Sequence, residues 1–331
     1  MMKKCNGCGA VLQKENPELE GFVREANFDK SDICERCFRI KNYGDYKQIE
    51  KSNVDFIPIL KQINDTKDLV VLVIDIFGMN KDVRELTKYL SNDILLVFTK
   101  RDVLPLSVSD EKLLDYADKL DISYIDKLIV SSNKNYEFDS LIEKIKMYQK
   151  SKNVYIVGYT NAGKSTMINK LIYNYSDLKA DVTTSILPST TLNTIEIKLD
   201  ENLTLIDTPG ILDEGSIINY VDAKTIKKML PMKEIKPITY QVRGKQYIYI
   251  DTLVEIEVED NNLTLFFSNQ LKIERFYKRR KNLKLKENIV RVKENQDVVI
   301  SGLGFIKVTK NGLLKVYTLD DVDVYTRESL I

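Results

Sequence analysis

An α/β fold is predicted for the middle of this chain, between a cysteine-rich module and a β-rich domain. The middle carries a glycine-rich loop between a short apolar run and a helical repeat, which together cover residues 153–173. Two C-x-x-C pairs precede it, and alternating apolar runs follow residue 232. With 331 residues and 43% apolar side chains, the chain can build more than one core.

The composition excludes several functional classes. Fifty Lys and Arg residues against 49 Asp and Glu give a formal charge of +1, so the chain as a whole does not favour nucleic acid or membrane. No apolar run reaches the roughly 18 residues that span a bilayer, and the first residues lack the apolar core of a signal peptide. We therefore predict a cytoplasmic protein without a membrane partner. The chain has no histidine, so catalysis must use other groups.

All four cysteines lie in the first 37 residues, as Cys5-x-x-Cys8 and Cys34-x-x-Cys37. Two such pairs with a longer insert match the pattern of a tetrathiolate zinc site. One alternative is a pair of disulfides, which a reducing cytosol disfavours. The other is a thioredoxin-like redox site, which needs only one C-x-x-C pair and leaves the second pair unexplained. A closed shell of four thiolates predicts structural zinc.

Residues 158–166 read GYTNAGKST, a G-x-x-x-x-G-K-[ST] phosphate loop. The apolar run 153–157 predicts a strand before this loop, and 165–173 has helical spacing after it, which is the context that phosphate binding requires. Lys164 is predicted to reach the β- and γ-phosphates, and the Ser165 hydroxyl to ligate Mg²⁺. The predicted nucleotide contacts of the loop are Gly158, Asn161, Ala162, Gly163, Lys164, Ser165 and Thr166.

Besides the phosphate loop, a magnesium-nucleotide site needs an acidic segment, which D207-T-P-G210 supplies. Asp207 is predicted to hold a water of the Mg²⁺ shell, and the Gly210 N–H to sense the γ-phosphate. A threonine-rich stretch lies between loop and switch. Thr191, or as the less favoured alternative Thr190, is predicted to complete the Mg²⁺ sphere.

Base recognition is predicted upstream of the loop, in the segment T99-K-R-D102, a form of the N-K-x-D signature of GTPases. Asp102 can accept hydrogen bonds from guanine N1 and N2, and Lys100 can lie along the base, whereas adenine has no matching donors. An ATP-dependent enzyme is therefore disfavoured. Thr99 replaces the usual Asn. Ser131, Ser132 and Asn133 follow another apolar run and resemble the S-A-K loop that contacts guanine O6.

In ordinary GTPases the phosphate loop comes first and the two base motifs last, whereas here the base motifs precede the loop. The sequence therefore predicts a circularly permuted Ras-like P-loop domain, which is tolerable when the connecting helix, predicted at 138–148, returns to the loop strand. We place the domain boundaries as follows: a zinc module at 1–46, the permuted GTPase domain at 47–222 and a β-rich domain at 223–331.

This order of motifs, from the cysteine pairs through T-K-R-D, V-S-S-N-K and G-Y-T-N-A-G-K-S-T to D-T-P-G-I, resembles the YqeH family of circularly permuted bacterial GTPases. The strand at 70–77 also resembles the stretch ahead of that family's guanine motif. The resemblance implies a GTPase that binds GTP and GDP and acts in assembly of the small ribosomal subunit, with that subunit or its rRNA as partner.

Ile211 stands where Ras-type enzymes carry the water-orienting glutamine, so slow intrinsic hydrolysis is predicted. Similar GTPases with an apolar residue there use a potassium ion, held by an asparagine inside the phosphate loop. Asn161 occupies that position and is the predicted K⁺ ligand. Lys164, Asn161, Thr191 and Gly210 form the predicted catalytic set, with hydrolysis stimulated by potassium or RNA.

The final third predicts an antiparallel β-rich domain, and its segment 271–293 carries ten Lys and Arg against two Glu. A solvated charged face is the ordinary interpretation, but Phe276 and Tyr277 add stacking groups that favour RNA contact. Two functions compete. One is a GTPase switch that binds ribosomal RNA; the other is a zinc-containing RNA-binding scaffold whose GTP site senses nucleotide and hydrolyses it poorly.

Overall fold

The structure, a computed structural model, describes most of the chain, which divides into two compact units. The described residues are 3, 5, 11–17, 19, 21–35, 38, 50–51, 53–78, 83–176, 187–188, 194–280 and 284–331. Cys8, Cys37, Thr190 and Thr191 lie outside them. Among the described residues, none of the helices has the length and apolar character needed to cross a membrane.

The first unit comprises residues 1–75, 81–99 and 120–212. Its helices are α1 (Asn53–Thr66), α2 (Val83–Thr87), α4 (Phe138–Tyr148) and α5 (Lys164–Tyr175), and a 3₁₀ turn covers Glu25–Asn27. Its strands are β1 (Glu50–Lys51), β2 (Leu69–Asp75), β3 (Ile94–Thr99), β4 (Asp126–Ile129), β5 (Asn153–Gly158), β6 (Leu187–Pro188), β7 (Ile195–Lys198), β8 (Thr204–Asp207) and β9 (Gly210–Ile211).

The second unit comprises residues 76–80, 100–119 and 213–331. Its helices are α3 (Asp110–Asp115) and α6 (Ala223–Met229), and its 3₁₀ turns include Arg101–Val103 and Ile217–Tyr220; the turn Tyr116–Leu120 runs one residue into the first unit. Its strands are β10 (Ile238–Gln241), β11 (Lys245–Ile250), β12 (Val254–Glu259), β13 (Asn262–Phe267), β14 (Ile273–Phe276), β15 (Lys286–Val292), β16 (Gln296–Ile300), β17 (Gly304–Val308), β18 (Gly312–Thr318) and β19 (Val324–Glu328).

In the described part of the first unit, seven strands form one sheet in the order β4-β3-β2-β5-β8-β7-β6. Strands β4, β3, β2, β5 and β8 pair in parallel, and β7 and β6 continue the sheet antiparallel. The central strands are apolar on both faces, as expected of a parallel sheet covered on both sides. Apolar faces of α4 and α5 pack against it in one buried cluster.

The sequence-predicted elements of this unit are confirmed with small shifts in their ends. The helix predicted at 138–148 is α4, and the strand–loop–helix context of the phosphate loop is β5 followed by α5. Because the predicted base motifs follow β3 and β4 and the phosphate loop follows β5, all three lie at the carboxyl ends of parallel strands of one sheet.

The second unit is a β-sandwich, and the alternating apolar runs of the sequence are its strands. The run 247–254 is two strands, because Asp251–Leu253 forms the turn between β11 and β12. Among the described residues, the two five-stranded sheets have the orders β10-β13-β17-β16-β19 and β14-β11-β12-β18-β15.

This sandwich contains an internal repeat that the sequence analysis missed. If β10–β14 correspond in order to β15–β19, the second sheet read backwards has the same arrangement as the first. The registers agree, since Ile250 faces Val254 in one hairpin and Ile300 faces Gly304 in the other. Each sheet thus combines strands of both repeats, so neither repeat can bury its apolar face without the other.

Two short segments from the first half of the chain also belong to this unit. Phe77 contacts the ring of Phe305 on β17, with ring centroids 5.7 Å apart. In the segment 100–119, the Val103 carbonyl accepts a hydrogen bond from the Ile235 N–H at 2.9 Å, and Lys119 pairs with Glu328. The second compact unit therefore combines residues 76–80 and 100–119 with residues 213–331.

Candidate nucleotide site

The phosphate loop has the geometry of an anion-binding turn. Asn161 and Gly163 adopt left-handed backbone conformations, with φ of 60° and 91°, and α5 begins at the next residue, Lys164. A helix N-terminus that follows such a turn directs backbone N–H groups at one point, which suits a phosphate. The Asn161 side chain is exposed at this turn, and Ser165 and Thr166 lie in the first turn of the helix.

At two positions of the loop, a side chain larger than that of glycine would be hindered by neighbouring strands, independently of any ligand. A Cβ on Gly158 would lie 2.3 Å from the Val73 carbonyl oxygen of the neighbouring strand β2. A Cβ on Gly163 would approach the Thr99 hydroxyl to 3.2 Å, in a backbone conformation that side chains rarely adopt. Both glycines therefore allow β2 and β3 to lie close to the loop.

Lys164 is a buried cation. Its ammonium group donates to the carbonyls of Gly158 at 2.5 Å and Tyr159 at 2.7 Å, and the residue is 2% exposed. Burial lowers the pKa of Lys164 to about 8, and the negative charge of Asp207 opposes that shift. Asp207, at the end of β8, is also 2% exposed. A buried ammonium in the field of a buried carboxylate fits a site for phosphate oxygens and a hard divalent cation.

The D-T-P-G segment is tied to the loop strand on one side. The Thr208 hydroxyl donates to the Ile156 carbonyl at 2.8 Å, and the N–H of Thr160 donates to the Ile211 carbonyl at 2.8 Å. Strand β9, which contains Gly210, pairs in parallel with β1. Ile211 is 3% exposed, so the apolar side chain that replaces the Ras-type glutamine packs inside the protein.

Thr99 has a contact that the sequence analysis did not anticipate. Its hydroxyl lies 2.5 Å from the carbonyl oxygen of Ala162 in the phosphate loop, to which it donates, and 3.3 Å from the Ile74 carbonyl. Thr99 is 2% exposed. The residue that replaces the signature asparagine therefore joins the end of β3 to the loop. The one available signal was the Thr-for-Asn difference itself.

The remaining predicted base contacts lie in the turns that follow β3 and β4. Ser131 is buried and its hydroxyl accepts the Lys134 N–H at 3.2 Å, closing the turn that also holds Ser132 and Asn133. Lys100 and Asp102 follow β3 and belong to the second unit. Their turn is held by Arg101, which pairs with Asp110 and donates to the Val108 carbonyl.

In the cysteine-rich module, Cys5 and Cys34 lie in one small buried cluster with Leu12 and Val23. The Cys34 N–H donates to the Cys5 sulfur at 3.1 Å. Backbone donors to sulfur are usual where a cysteine is a thiolate, so these two residues fit a metal-ligand role. The other two predicted ligands lie outside the described residues.

Comparison with known proteins agrees with this geometry. The RsgA GTPase family matches residues 41–215, and a family described as 50S ribosome-binding GTPase matches residues 153–301. YqeH of Bacillus subtilis is 34% identical over 99% of both chains. The chain belongs to the YqeH family of GTPases. Membership implies that it binds GTP and GDP with Mg²⁺ and hydrolyses GTP.

Two more distant relatives of this YqeH-family chain are named as a GTP-binding protein and a GTPase. Brassinazole insensitive pale green 2, a chloroplastic GTP-binding protein of Arabidopsis thaliana, is 25% identical over 93% of the chain and 58% of its own length. The tRNA modification GTPase MnmE of Streptococcus pneumoniae is 26% identical over 59% of the chain and 43% of its own length.

The Thr99–Ala162 hydrogen bond can be tested with Thr99→Val, which keeps the side-chain shape and removes the donor. Because the Ala162 carbonyl loses a buried partner, we expect the free energy of unfolding to fall by about 1–2 kcal/mol and nucleotide affinity to fall with it. Denaturant titration and equilibrium binding of labelled GDP measure both. Thr99→Ser retains the hydroxyl and should stay near the native values; a Val variant that matches the native protein in both assays contradicts this role.

Proposed function

We propose that this GTPase couples its nucleotide state to binding of ribosomal RNA during assembly of the small ribosomal subunit. The observation that carries the nucleotide part is the buried ammonium of Lys164 at the start of α5, beside the buried carboxylate of Asp207. We further propose that the domain is circularly permuted, as the motif order indicates, and that the protein acts in the cytoplasm.

The proposed roles in hydrolysis follow from the loop geometry. Lys164 and the loop N–H groups hold the β- and γ-phosphates, and Ser165, Asp207 and Thr191 hold the Mg²⁺. Bound Mg²⁺ supplies charge that neutralises the phosphate oxygens. Gly210 senses the γ-phosphate. Because Ile211 is buried and carries no polar group, it cannot orient the attacking water. We propose that hydrolysis is assisted instead by a cation whose positive charge stabilises the transition state.

Asn161 is the proposed holder of that charge, as the ligand of a potassium ion. Its left-handed backbone presents an exposed amide side chain at the mouth of the loop. Single-turnover GTP hydrolysis should therefore be faster in K⁺ than in Na⁺ by about tenfold or more at matched ionic strength. Asn161→Ala should remove the difference between the two salts. Equal rates of the native protein in both salts would exclude this mechanism and favour the poorly hydrolysing scaffold.

Asp102 is proposed to select guanine. Asp102→Asn replaces an acceptor by an amide that can donate to the extra carbonyl of xanthine. GTP affinity should fall roughly ten- to hundredfold while affinity for xanthosine triphosphate rises. Competition binding with both nucleotides measures this exchange. An unchanged preference for GTP would remove Asp102 from the base site.

Structural zinc is proposed for Cys5, Cys8, Cys34 and Cys37, on the support of the two cysteine pairs and the amide–sulfur contact. Protein purified without chelator should contain one zinc per chain by elemental analysis. A content far below that value would contradict the tetrathiolate site.

The way the chain enters the second unit supports the coupling of nucleotide state to RNA binding. Residues 211 and 212 alone separate Gly210 from Asp213, which accepts a hydrogen bond from the Ser301 hydroxyl. The Gly215 carbonyl accepts the Asp323 N–H at 2.9 Å. The segment that leaves the switch is thus bonded to a turn of the sandwich. A displacement of Gly210 by a γ-phosphate would act on that turn.

The basic segment 271–293 divides into two kinds of cation. Arg279 pairs with Glu255, a carboxylate 2% exposed whose pKa is raised by burial, and Arg280 pairs with Glu274. Lys272 also pairs with Glu274, and Arg275 makes no ion pair with any described residue but donates to the Gln246 side-chain carbonyl. Within the described part of the chain, the other cations of the segment that make no ion pair are Lys278, Lys284, Lys286, Arg291 and Lys293. These unpaired side chains are the ones available to RNA phosphates.

The triple variant of Lys278, Lys286 and Arg291 to Ala should weaken binding of single-stranded rRNA fragments and lower the slope of log K against log salt by about 0.7 per lost phosphate contact. Lys245→Ala, which removes a cation already paired with Glu257, is the control. Both variants should bind nucleotide normally without RNA. Affinity of the native protein should also differ between GTP-analogue and GDP states by roughly 5- to 150-fold.

Three outcomes would contradict parts of this proposal. Unchanged RNA binding in the triple variant places the RNA surface elsewhere. Equal RNA affinity in both nucleotide states removes the switch and leaves the GTPase. Co-sedimentation with isolated 50S but not 30S particles would favour the large-subunit partner that one matched family's description names.

A further inference from the structure

An open cleft of about 650 Å³ lies at one side of the sandwich, within the second unit. Both sheet edges contribute to it, since Ile238 of β10 and Ile273 of β14 line its walls. Its floor is the apolar core residues Leu265, Phe267 and Leu271. No residue of the phosphate loop lines the cleft, and none of the cations proposed above to bind RNA is among its lining residues.

The rim of the cleft is ordered by hydrogen bonds that leave two lysines available. Asn269 donates its amide to the Glu234 carbonyl at 2.8 Å and accepts the Lys236 N–H at 2.9 Å. The Glu234 carboxylate is occupied by the Leu106 N–H at 3.0 Å. Lys233 and Lys236 are exposed at the rim and form no ion pair with any residue that the structure describes. With one carboxylate against two ammonium groups, the rim of this apolar cleft carries a net positive charge.

The internal repeat shows that the fold does not require an apolar cleft here. In the second repeat, Asn288 stands in the register position of Ile238, opposite Val316 where Ile238 faces Leu265. The Asn288 amide donates to the Thr318 hydroxyl at 3.0 Å, and Thr318, in the position of Phe267, is fully buried. One repeat fills this place with hydrogen-bonded polar groups, whereas the other leaves Ile238 37% exposed.

Strand β10 also has an unpaired edge. It pairs with β13 on one side and stands at the end of its sheet in the described residues. Edge N–H and C=O groups are a template for another extended chain, whose side chains would alternate between the cleft and the outer face. Lysines also protect edges against unwanted pairing, but protection alone gives no reason for an apolar floor.

We propose that this cleft, defined by β10, Leu265, Phe267, Ile273 and the rim lysines, binds an extended protein segment in which apolar and acidic residues alternate. The segment adds to β10 as a further strand. Its apolar side chains cover the floor, and its carboxylates meet Lys233 and Lys236. The partner is thus an acidic peptide, which is anionic like the RNA proposed for the 271–293 segment but is recognised through its backbone and its apolar side chains.

The probe is a fluorescein-labelled octapeptide of alternating Val and Glu, titrated with the full-length protein and Mg²⁺-GDP and read by fluorescence anisotropy. We expect saturable binding. Ile238→Asn, which copies the second repeat, and the pair Lys233→Glu/Lys236→Glu should each weaken it at least about tenfold. Lys286→Glu, the corresponding lysine of the second repeat, is the matched control and should leave it unchanged. Circular dichroism checks that each variant is folded.

Two further peptides and one competitor, oligouridine, distinguish strand addition by an acidic segment from non-specific or RNA binding. An alternating Val and Lys peptide should bind at least about tenfold more weakly, and the Lys233→Glu/Lys236→Glu protein should reverse that order. N-methylation of alternate amides of the Val–Glu peptide should abolish binding, because the peptide loses the N–H donors that would pair with the carbonyls of β10. Absence of saturable binding, equal affinity for both peptides, no effect of Ile238→Asn, or displacement of the peptide by oligouridine would each overturn the proposal.

Discussion

The proposed nucleotide site depends on the groups that compensate the buried positive charge of Lys164. Lys164 is removed from water by the strands that close around the loop, and its charge is met by the carbonyls of Gly158 and Tyr159 and by the field of Asp207. Burial of a charge is costly unless hydrogen bonds and opposite charge compensate it. The surrounding features serve this arrangement: glycine at 158 lets β2 approach, and Thr99 fixes the carbonyl of Ala162. In the proposed nucleotide site, an anionic phosphate would complete the compensation.

The two units bring distant strands together in different ways. In the first, parallel strands bring the ends of β3, β5 and β8 to one edge of a sheet, so that residues far apart in sequence meet. In the second, two repeats exchange strands, and the cores of both sheets form one cluster. That exchange leaves two edge positions that are equivalent by register but chemically different, a polar one at Asn288 and an apolar one at Ile238.

Much of the first unit could be predicted because its signals are local. The loop, its strand and its helix occupy adjacent residues, and α4 has the predicted bounds. Contacts between distant segments could not be predicted. The Thr-for-Asn difference at position 99 does not by itself reveal that the Thr99 hydroxyl bonds the phosphate loop. The ion pair of Arg279 with Glu255 likewise removes a cation that a count of charges assigned to RNA. The strand exchange was not predicted because the two repeats resemble each other in their pattern of apolar residues rather than in identical residues.

The measurement that tests the central claim most directly is the unfolding free energy with and without Mg²⁺-GDP, for the native protein and for Lys164→Met. A ligand present at 100 times its dissociation constant stabilises a protein by about 2.7 kcal/mol. The account predicts a gain of that size for the native protein and almost none for the variant at the same nucleotide concentration, since the phosphates lose their buried cation. A Lys164→Met variant that gains as much stability from Mg²⁺-GDP as the native protein would contradict it.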